Sequence, residues 1–354
     1  MTGSGAGSLA AAIQAGLAGS GSPRLSAGVQ RLMTAYRSGE VPDRPVIAAE
    51  PDAAAYAAYR MPATAAATGL ALRELRLSLP GWAPATLLDF GAGTGGTAWA
   101  VAGELPSIGS MTLLEQSAEA IRLGKAILAA AAAPSLRAAV WRSWRLPTGG
   151  FPAGGFAAGG GPAAGGGPAS GVPTADLATA AYVLGELTPA QQQALVALAA
   201  SAAPVVLLME PGTPAGHRRI LTARTQLLAM GYVVAAPCPH QLVCPLAVEG
   251  DWCHFGARLQ RSAVHRQAKG VELPYEDEKF SYVAAVRETS RADARVAAAQ
   301  GRVVRRPQQR KGLVMLDLCL PDGSSQRVLV SKSKGDAYRR ARKTSWGDRW
   351  PSPT

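Results

Sequence analysis

Hydrophobic and polar positions change their spacing several times along the chain. From Leu25 to about Leu79 the apolar residues recur with helical spacing, interrupted by prolines. From Ala85 onward, short apolar runs that predict buried strands alternate with helical stretches, beginning with a strand at 86–90 and a helix at 97–104. This alternation predicts a parallel sheet with helices on both faces.

The same changes of pattern divide the chain into segments. We expect a flexible leader rich in Gly, Ala and Ser at 1–22, an N-terminal helical segment at 23–82 and an α/β domain at 83–287. A small β unit with a basic tail follows at 288–354. Within that last segment, residues 288–310 predict a polar linker, and Asp322-Gly323 predicts a hairpin turn between two strands.

One stretch interrupts the α/β pattern. Eleven of the 23 residues at 149–171 are Gly, and nearly all the others are Ala or Pro. Such a stretch has too little apolar surface to order itself. Because strands and helices resume at Asp176, we interpret 149–171 as a disordered Gly-rich insertion within one domain.

Composition narrows the class of protein. Apolar residues make up 48% of the 354 positions and charged residues 17%, which excludes wholesale disorder, a coiled coil and a collagen-like chain. No apolar run of about 18 residues is free of Gly, Pro and charge, so we expect no membrane span. The four Cys are too few for a disulfide scaffold.

Positive charge is concentrated at the end of the chain. The net charge is +12, and residues 302–354 hold thirteen Arg or Lys against four Asp, a balance of +9. Such localised charge favours a polyanionic partner, most often RNA or DNA. Trp346, Trp350 and Tyr338 lie among these cations and can stack on bases. A solvated basic tail is the alternative.

A glycine-rich segment follows the first predicted strand. Asp89, Gly91, Gly93 and Gly95 fit the pattern D-x-G-x-G-x-G at a strand end that opens a helix. Glycines there allow a tight turn and a close ligand, and the helix start offers free N–H groups. The segment also fits the dinucleotide pattern G-x-G-x-x-G, but it resembles the first motif of class I S-adenosylmethionine-dependent methyltransferases more closely.

The methyltransferase resemblance implies one further cofactor residue. In that family an acidic residue at the end of the second strand holds the ribose hydroxyls, and Glu115 occupies this position. No catalytic residue is identified, because residues 181–187 lack both the Asn/Asp-Pro-Pro-aromatic motif and a nucleophilic Cys. Tyr182 and Glu186 can line a substrate pocket, but a packing Tyr and a Glu at a helix start are the favoured interpretation.

The four Cys form a candidate metal site. Cys238, Cys244 and Cys253 fall in a Cys-rich loop at 237–254, and Cys319 lies 66 residues further on. Thiolates are soft ligands for zinc or iron–sulfur clusters. The spacing is not the paired C-x-x-C of a zinc ribbon, so four unrelated buried Cys are the alternative. His240 and His254 can substitute for a ligand.

Several uncommon strings in order resemble one family, the methyltransferase-like small-ribosomal-subunit assembly proteins known in mitochondria and with bacterial relatives. They include the glycine loop and five further segments: Tyr59–Thr64, Val183–Leu187, Glu210–Pro214, Ala236–His240 and Asp251–Phe255. The resemblance runs from about Tyr56 to Trp350. It implies binding to small-subunit rRNA and the pre-small-subunit particle, and a [4Fe–4S] cluster on Cys238, Cys244, Cys253 and Cys319, with Zn as the alternative.

Together these observations predict a class I (Rossmann-like) methyltransferase fold with a helical N-terminal segment and a basic C-terminal β unit. We expect a monomeric assembly factor that binds S-adenosylmethionine and rRNA without robust catalysis; the alternative is an active rRNA methyltransferase. The RNA contacts are assigned to the basic tail, at Arg339, Arg340, Arg342, Lys343 and Trp346. A cytoplasmic location is expected, with the mitochondrial matrix as the alternative.

Overall fold

A computed structural model describes residues 8–18, 22–38, 46–147, 171–288 and 301–351. Within these ranges, eight strands form a large sheet. They are β1 Thr86–Phe90, β2 Ser110–Glu115, β3 Val140–Ser143, β4 Leu177–Ala181, β5 Val205–Pro211, β6 Tyr232–Ala236, β7 Phe255–Gln260 and β8 Tyr275–Arg287.

The strand order identifies the fold. The large sheet runs β3-β2-β1-β4-β5-β8-β6, and β7 pairs with the first half of β8. Strands β1 to β5 are parallel, whereas β8 runs antiparallel to both β5 and β6. This order with one reversed strand is the topology of class I methyltransferases, so the predicted fold class is confirmed. The order reverses between β1 and β4, where α/β sheets bind their ligands.

Helices cover both faces of the large sheet. They are α1 Leu9–Gly16, α2 Ser22–Ser38, α3 Glu50–Ser78, α4 Gly96–Glu104, α5 Ala118–Ala129, α6 Pro134–Arg137, α7 Pro189–Ala202, α8 Pro214–Ala229, α9 Pro245–Val248 and α10 Ala263–Lys269. The long α3 packs with α4 and α5 on one face, and α7 and α8 pack on the other. None of the helices in the described ranges is long and apolar enough to cross a bilayer.

The C-terminal residues form a second, smaller sheet. Its elements are β9 Gly301–Val303, β10 Gln308–Arg310, β11 Leu313–Cys319, β12 Ser325–Ser331, α11 Asp336–Ala341 and β13 Arg349–Trp350. The predicted hairpin turn joins β11 to β12, with Gly323 at φ +83°. The unit docks on the end of α3, where Arg302 and Arg349 both pair with Glu74.

Two of the predicted segments differ from the structure, and a third lies almost entirely outside the described residues. The expected flexible leader contains α1, in which Ile13 is buried against α5, so the structure differs from that prediction. The expected linker at 288–310 contains β9 and β10, which join the small sheet. The Gly-rich insertion at 149–171 lies, except for Gly171, outside the described residues.

Candidate functional site

The glycine loop joins β1 to α4 at the edge where the sheet order reverses. Gly91, Gly93 and Gly95 have φ values of +69°, +55° and +93°, a region that residues with a Cβ rarely adopt. A Cβ on Gly91 would lie 2.5 Å from Cγ2 of Val183, and one on Gly93 would lie 2.9 Å from Cε1 of Tyr56. Both backbone conformation and space therefore require glycine here.

Glu115 ends β2 and ties the loop to its neighbour strand. Its Oε2 accepts the Gly93 N–H at 2.8 Å, and its Oε1 accepts the Ser117 N–H at 2.8 Å. The side chain is buried, with 7% of its surface exposed. Each carboxylate oxygen has a further lone pair, so Glu115 can still accept hydrogen bonds from ligand hydroxyls.

A cavity of about 350 Å³ opens beside the loop. Gly91, Gly93 and Glu115 form one wall, and Trp144 and Leu146 form another. Polar backbone and carboxylate groups thus face an aromatic and aliphatic surface. Such a cavity suits a ligand with both a polar and a flat apolar part.

Glu186 lines this cavity together with Glu115, and Asp89 lies in β1 just before the glycine loop without lining the cavity. Burial, with the nearby charges of Glu115 and Glu210, raises the pKa of Glu186 to about 8. Burial also raises the pKa of Asp89 to about 7, against the effect of the Thr179 hydroxyl, which donates to Asp89 Oδ1 at 2.6 Å. The cavity therefore holds acidic groups whose ionisation a positively charged ligand would favour.

Tyr182 follows β4, at the level where many methyltransferases of this fold carry their catalytic motif. It is a non-glycine residue at φ +63°, and its ring is buried. The Arg60 guanidinium lies 4.9 Å from the centre of that ring and forms two hydrogen bonds with Glu278, at 3.2 and 3.0 Å. An ion pair and an aromatic ring thus fill the space next to β4.

The four Cys meet in one place despite their spacing in the chain. Cys238, Cys244, Cys253 and Cys319 line the same cavity of about 30 Å³. Burial raises the pKa of Cys319 to about 12 and that of Cys253 well above its usual value, with the neighbouring thiols as a second cause. Thiols gathered this way are poor acids alone, and a bound metal is what stabilises them as thiolates.

Three other residues surround the thiols, and only one was suggested by the sequence. His240 places Nε2 3.3 Å from Cys319 Sγ, and its buried Nδ1 has no hydrogen-bond partner among the described residues. Arg224 donates to the carbonyls of His240 and Leu242, and Arg302 donates to that of Pro237. The Pro-Cys-Pro-His string pointed to His240, whereas no local pattern marks either arginine. Their two charges can offset buried thiolates.

The donor set fits a soft metal centre, but the described thiols are not arranged around a single ion. Among the described residues, no group of three or more His, Cys, Asp or Glu side chains is placed to hold one metal ion. Four cysteine sulfurs are the donor set expected of zinc or iron–sulfur ligation.

The predicted RNA-contacting residues fall into two groups. Arg340, Arg342 and Lys343 are exposed on or just after α11. Arg339 is exposed but forms an ion pair with Asp336. The Trp346 indole donates to the Val304 carbonyl at 3.0 Å and packs edge-on against His254, so its ring faces neighbouring residues.

Curated proteins with ribosome-related names are similar to this chain. It is 29% identical over 310 residues to the human "Ribosome assembly protein METTL17, mitochondrial", covering 84% of this chain and 62% of that protein. It is 30% identical over 183 residues to the "Rsm22-cox11 tandem protein 2, mitochondrial" of Schizosaccharomyces pombe, covering 42% of this chain and 24% of that one. The chain thus spans less than two thirds of either relative.

Two solved methyltransferase structures are similar to this chain at low sequence identity. A magnesium protoporphyrin IX methyltransferase from Synechocystis PCC 6803 matches at 13% identity and a TM-score of 0.36, covering 64% of this chain and 80% of that one. The glycopeptide N-methyltransferase MtfA matches at 12% and 0.36, covering 62% and 90%. The fold assignment rests on the strand order described above.

The match to a family model covers most of the chain. The model described as "Mitochondrial small ribosomal subunit Rsm22" matches residues 50–351, from the start of α3 to the end of the small sheet. The family resemblance inferred from the sequence strings is therefore confirmed. The chain belongs to the Rsm22 family of mitochondrial small ribosomal subunit proteins.

Proposed function

We propose that this protein is an assembly factor of the small ribosomal subunit that binds rRNA through its C-terminal unit. The observation that carries the proposal is the family match over residues 50–351. The human relative is named a ribosome assembly protein, and the basic C-terminal unit supplies the charge that RNA binding needs. The partners are the rRNA and the immature particle, and the protein acts as a monomer.

We propose S-adenosylmethionine as the ligand of the glycine-loop cavity. The loop allows close approach of the ligand, and Glu115 has free lone pairs for the ribose hydroxyls. The cavity's acidic groups also suit a ligand that carries a sulfonium and an ammonium charge. Bound there, the ligand would supply a transferable methyl group, and it would occupy the cavity and stabilise the residues around it.

We propose that methyl transfer is not the main role. A methyl acceptor must approach the cofactor beside the end of β4, and this space is where Tyr182, Arg60 and Glu278 pack together. The Arg60–Glu278 ion pair, whose side chains are only 11% and 13% exposed, would have to move to admit an acceptor. An active rRNA methyltransferase remains the alternative function.

For the cysteine cavity we propose a structural [4Fe–4S] cluster, with Zn as the alternative. The support is the convergence of four thiols from two units beside two arginines. The cavity between the thiols is only about 30 Å³, so a [4Fe–4S] cluster would need the thiols to lie further apart than they do here. The expected result is about four irons per chain after anaerobic purification. Stoichiometric zinc without iron would contradict the cluster.

The names of the relatives bear on location. All three curated relatives are named mitochondrial, which supports the mitochondrial matrix and gives no support to the cytoplasmic prediction. We therefore propose the mitochondrial alternative wherever the source cell has that organelle.

Crosslinking in cells tests the proposed function. The protein is crosslinked to RNA in its own cells, and the crosslinked nucleotides are sequenced. Crosslinks concentrated in small-subunit rRNA are expected, and those nucleotides are then examined for methylation. Crosslinks scattered over other RNAs, or none above background, would contradict the assembly role. A methylated crosslinked nucleotide that disappears in a Gly93→Arg variant would favour the enzyme.

A further inference from the structure

The cations of the C-terminal unit differ in whether an acidic partner neutralises them. Thirteen Arg or Lys and four Asp lie within 301–351. Five of these cations form ion pairs: Arg302, Arg305, Arg327, Arg339 and Arg349. Eight others are exposed and form no ion pair in the described part of the chain. One of them, Arg306, lies close enough to Asp277 to help lower the pKa of that carboxyl. The remaining seven are Arg310, Lys311, Lys332, Lys334, Arg340, Arg342 and Lys343. These seven are called the free cations below.

The fold brings the free cations together from three chain segments. At the start of β11, Leu313 pairs with Arg310 on one side and with Ser331 on the other. The backbone N–H of Lys332 donates to the Gly312 carbonyl at 2.8 Å. Gln309 Nε2 donates to the Arg342 carbonyl at 3.0 Å, which holds the end of α11 beside β10. The free cations therefore form one surface at this end of the small sheet.

The same unit keeps its aromatic rings away from that surface. Trp350 is buried in β13, and Trp346 is engaged with Val304 and His254. Tyr338 packs against the core of the small sheet. Of the aromatic side chains that the structure describes, only Tyr275 is exposed, at 39%, and the Arg258 guanidinium lies 4.5 Å from the centre of its ring. The expected stacking of Trp346, Trp350 and Tyr338 on bases thus has no exposed ring to use.

A basic surface that has no exposed aromatic rings is suited to double-helical RNA rather than to single-stranded RNA. Proteins that hold single strands combine a basic groove with aromatic rings on which bases stack. Double-helical RNA hides its bases and is recognised by its shape, phosphates and 2′-hydroxyls. We infer that the free cations dock on the phosphates of double-helical RNA. This inference rests on the proposed rRNA binding, and it specifies that the C-terminal unit binds double-helical segments of that RNA.

Binding of the full chain to two labelled RNAs tests the inference. One RNA is a hairpin with about 16 base pairs, and the other is an unstructured strand of the same length and charge. We expect the hairpin to bind at least about tenfold more tightly, because its phosphate density is higher and the strand gains no stacking. Seven phosphate contacts predict a slope of about −6 for log K against log salt on the hairpin.

Two double variants with the same loss of charge locate the surface. Arg310→Gln/Lys311→Gln removes two free cations, and Arg327→Gln/Arg339→Gln removes two that Asp317 and Asp336 already neutralise. The first variant is expected to make the slope shallower by about 2, and the second by less than about 1. All four side chains are exposed, so each variant should keep the wild-type melting temperature.

The outcomes separate the inference from the proposed function. Equal binding of both RNAs, or tighter binding of the single strand, overturns the duplex inference and leaves rRNA binding intact. Equal effects of the two double variants overturn the assignment to the free cations. Failure of the wild-type chain to bind either RNA overturns the proposed function itself.

Discussion

The glycine-loop cavity and the cysteine cavity differ in how far apart their residues lie in the chain. Asp89, the three loop glycines and Glu115 come from two neighbouring strands, and hydrogen bonds already hold them in place. The cysteines come from a loop of the large domain and from β11 of the small sheet. Burial raises the pKa values of the Cys238, Cys253 and Cys319 thiols. The glycine-loop cavity is therefore shaped by its own hydrogen bonds. In the cysteine cavity, the proposed metal centre would supply the bonds that hold the four thiols together.

The cysteine cavity lies between the large-sheet domain and the small C-terminal sheet, because residues of both line it. Arg302 and Arg349 attach the small sheet to Glu74 of α3, and His254 packs between Trp252 and Trp346 across the boundary. Cys319 adds a ligand bond to these contacts if a metal centre is present. Metal binding free energy then becomes part of the folding free energy.

The largest expected effect comes from Cys319→Ala. Removing the one ligand that β11 supplies should lower the iron content at least about tenfold, because a four-cysteine cluster has no substitute thiolate in this chain. The same change should lower the melting temperature, because the centre no longer ties the two units. Iron analysis and thermal unfolding of anaerobically purified protein measure both effects.

The matched control is Leu318→Ala, one residue earlier in the same strand. Leu318 is buried in the core of the small sheet, so the variant should lose about 2–5 kcal/mol of unfolding free energy. Its folded fraction should keep the full iron content, because all four thiols remain. A full complement of iron in Cys319→Ala would remove Cys319 from the ligand set.

The second largest expected effect is a loss of ligand affinity in Gly93→Ala, which tests whether the loop has its binding conformation before the ligand binds. Gly93→Ala places a Cβ 2.9 Å from the Tyr56 ring and forces alanine to φ +55°, which costs about 1–2 kcal/mol. A loop displaced by these two effects should bind S-adenosylhomocysteine at least about tenfold more weakly. Titration calorimetry measures the change.

Gly103→Ala is the control for the loop. Gly103 lies in α4, and a Cβ there would meet nothing within 4 Å. This variant should raise the free energy of unfolding by up to about 1 kcal/mol and leave the ligand affinity unchanged. Equal affinities of Gly93→Ala and the wild-type protein would show that the loop is not the ligand site.

The sequence predicted local features better than distant contacts. The first strand was expected at 86–90, where β1 lies, because buried strands and glycine turns are encoded by neighbouring residues. The helix α1 was missed because its composition is that of a flexible segment. Its order comes from packing on α5, where a Cβ on Gly16 would lie 2.6 Å from Ile127. Tertiary packing of this kind leaves no local pattern.

The same limit explains the errors around the C-terminal unit. Trp346 was assigned to RNA because it lies among cations, but its hydrogen-bond partner Val304 is 42 residues away. Arg224 and Arg302 were missed for the same reason, since only the fold brings them beside the cysteines. The four cysteines were grouped through family resemblance, whereas their spacing alone left unrelated buried Cys as an alternative.

The smallest expected effect is the pH dependence of stability that comes from Glu186, a carboxyl group lining the glycine-loop cavity. The pKa of Glu186 is raised from 4.5 to about 8, so the folded state binds this proton more tightly than the unfolded state. The resulting stability is complete below about pH 4.5 and is lost as the pH rises through about 8. Glu186→Gln keeps the side chain neutral, so its urea midpoint should fall less than the wild-type midpoint between about pH 6 and 9.

Ligand binding sharpens this prediction. A sulfonium beside Glu186 favours the carboxylate, so S-adenosylmethionine should release protons on binding near pH 7, whereas uncharged sulfur in S-adenosylhomocysteine should release fewer. Calorimetry in buffers of different ionisation enthalpy measures the difference. It should shrink in Glu186→Gln and persist in Glu119→Gln, which removes an exposed carboxyl paired with Arg122. Equal proton release by both ligands would mean that Glu186 does not face the sulfur. The glycine-loop cavity would then have no carboxylate matched to the sulfonium charge, which is the feature that distinguishes it from the cysteine cavity.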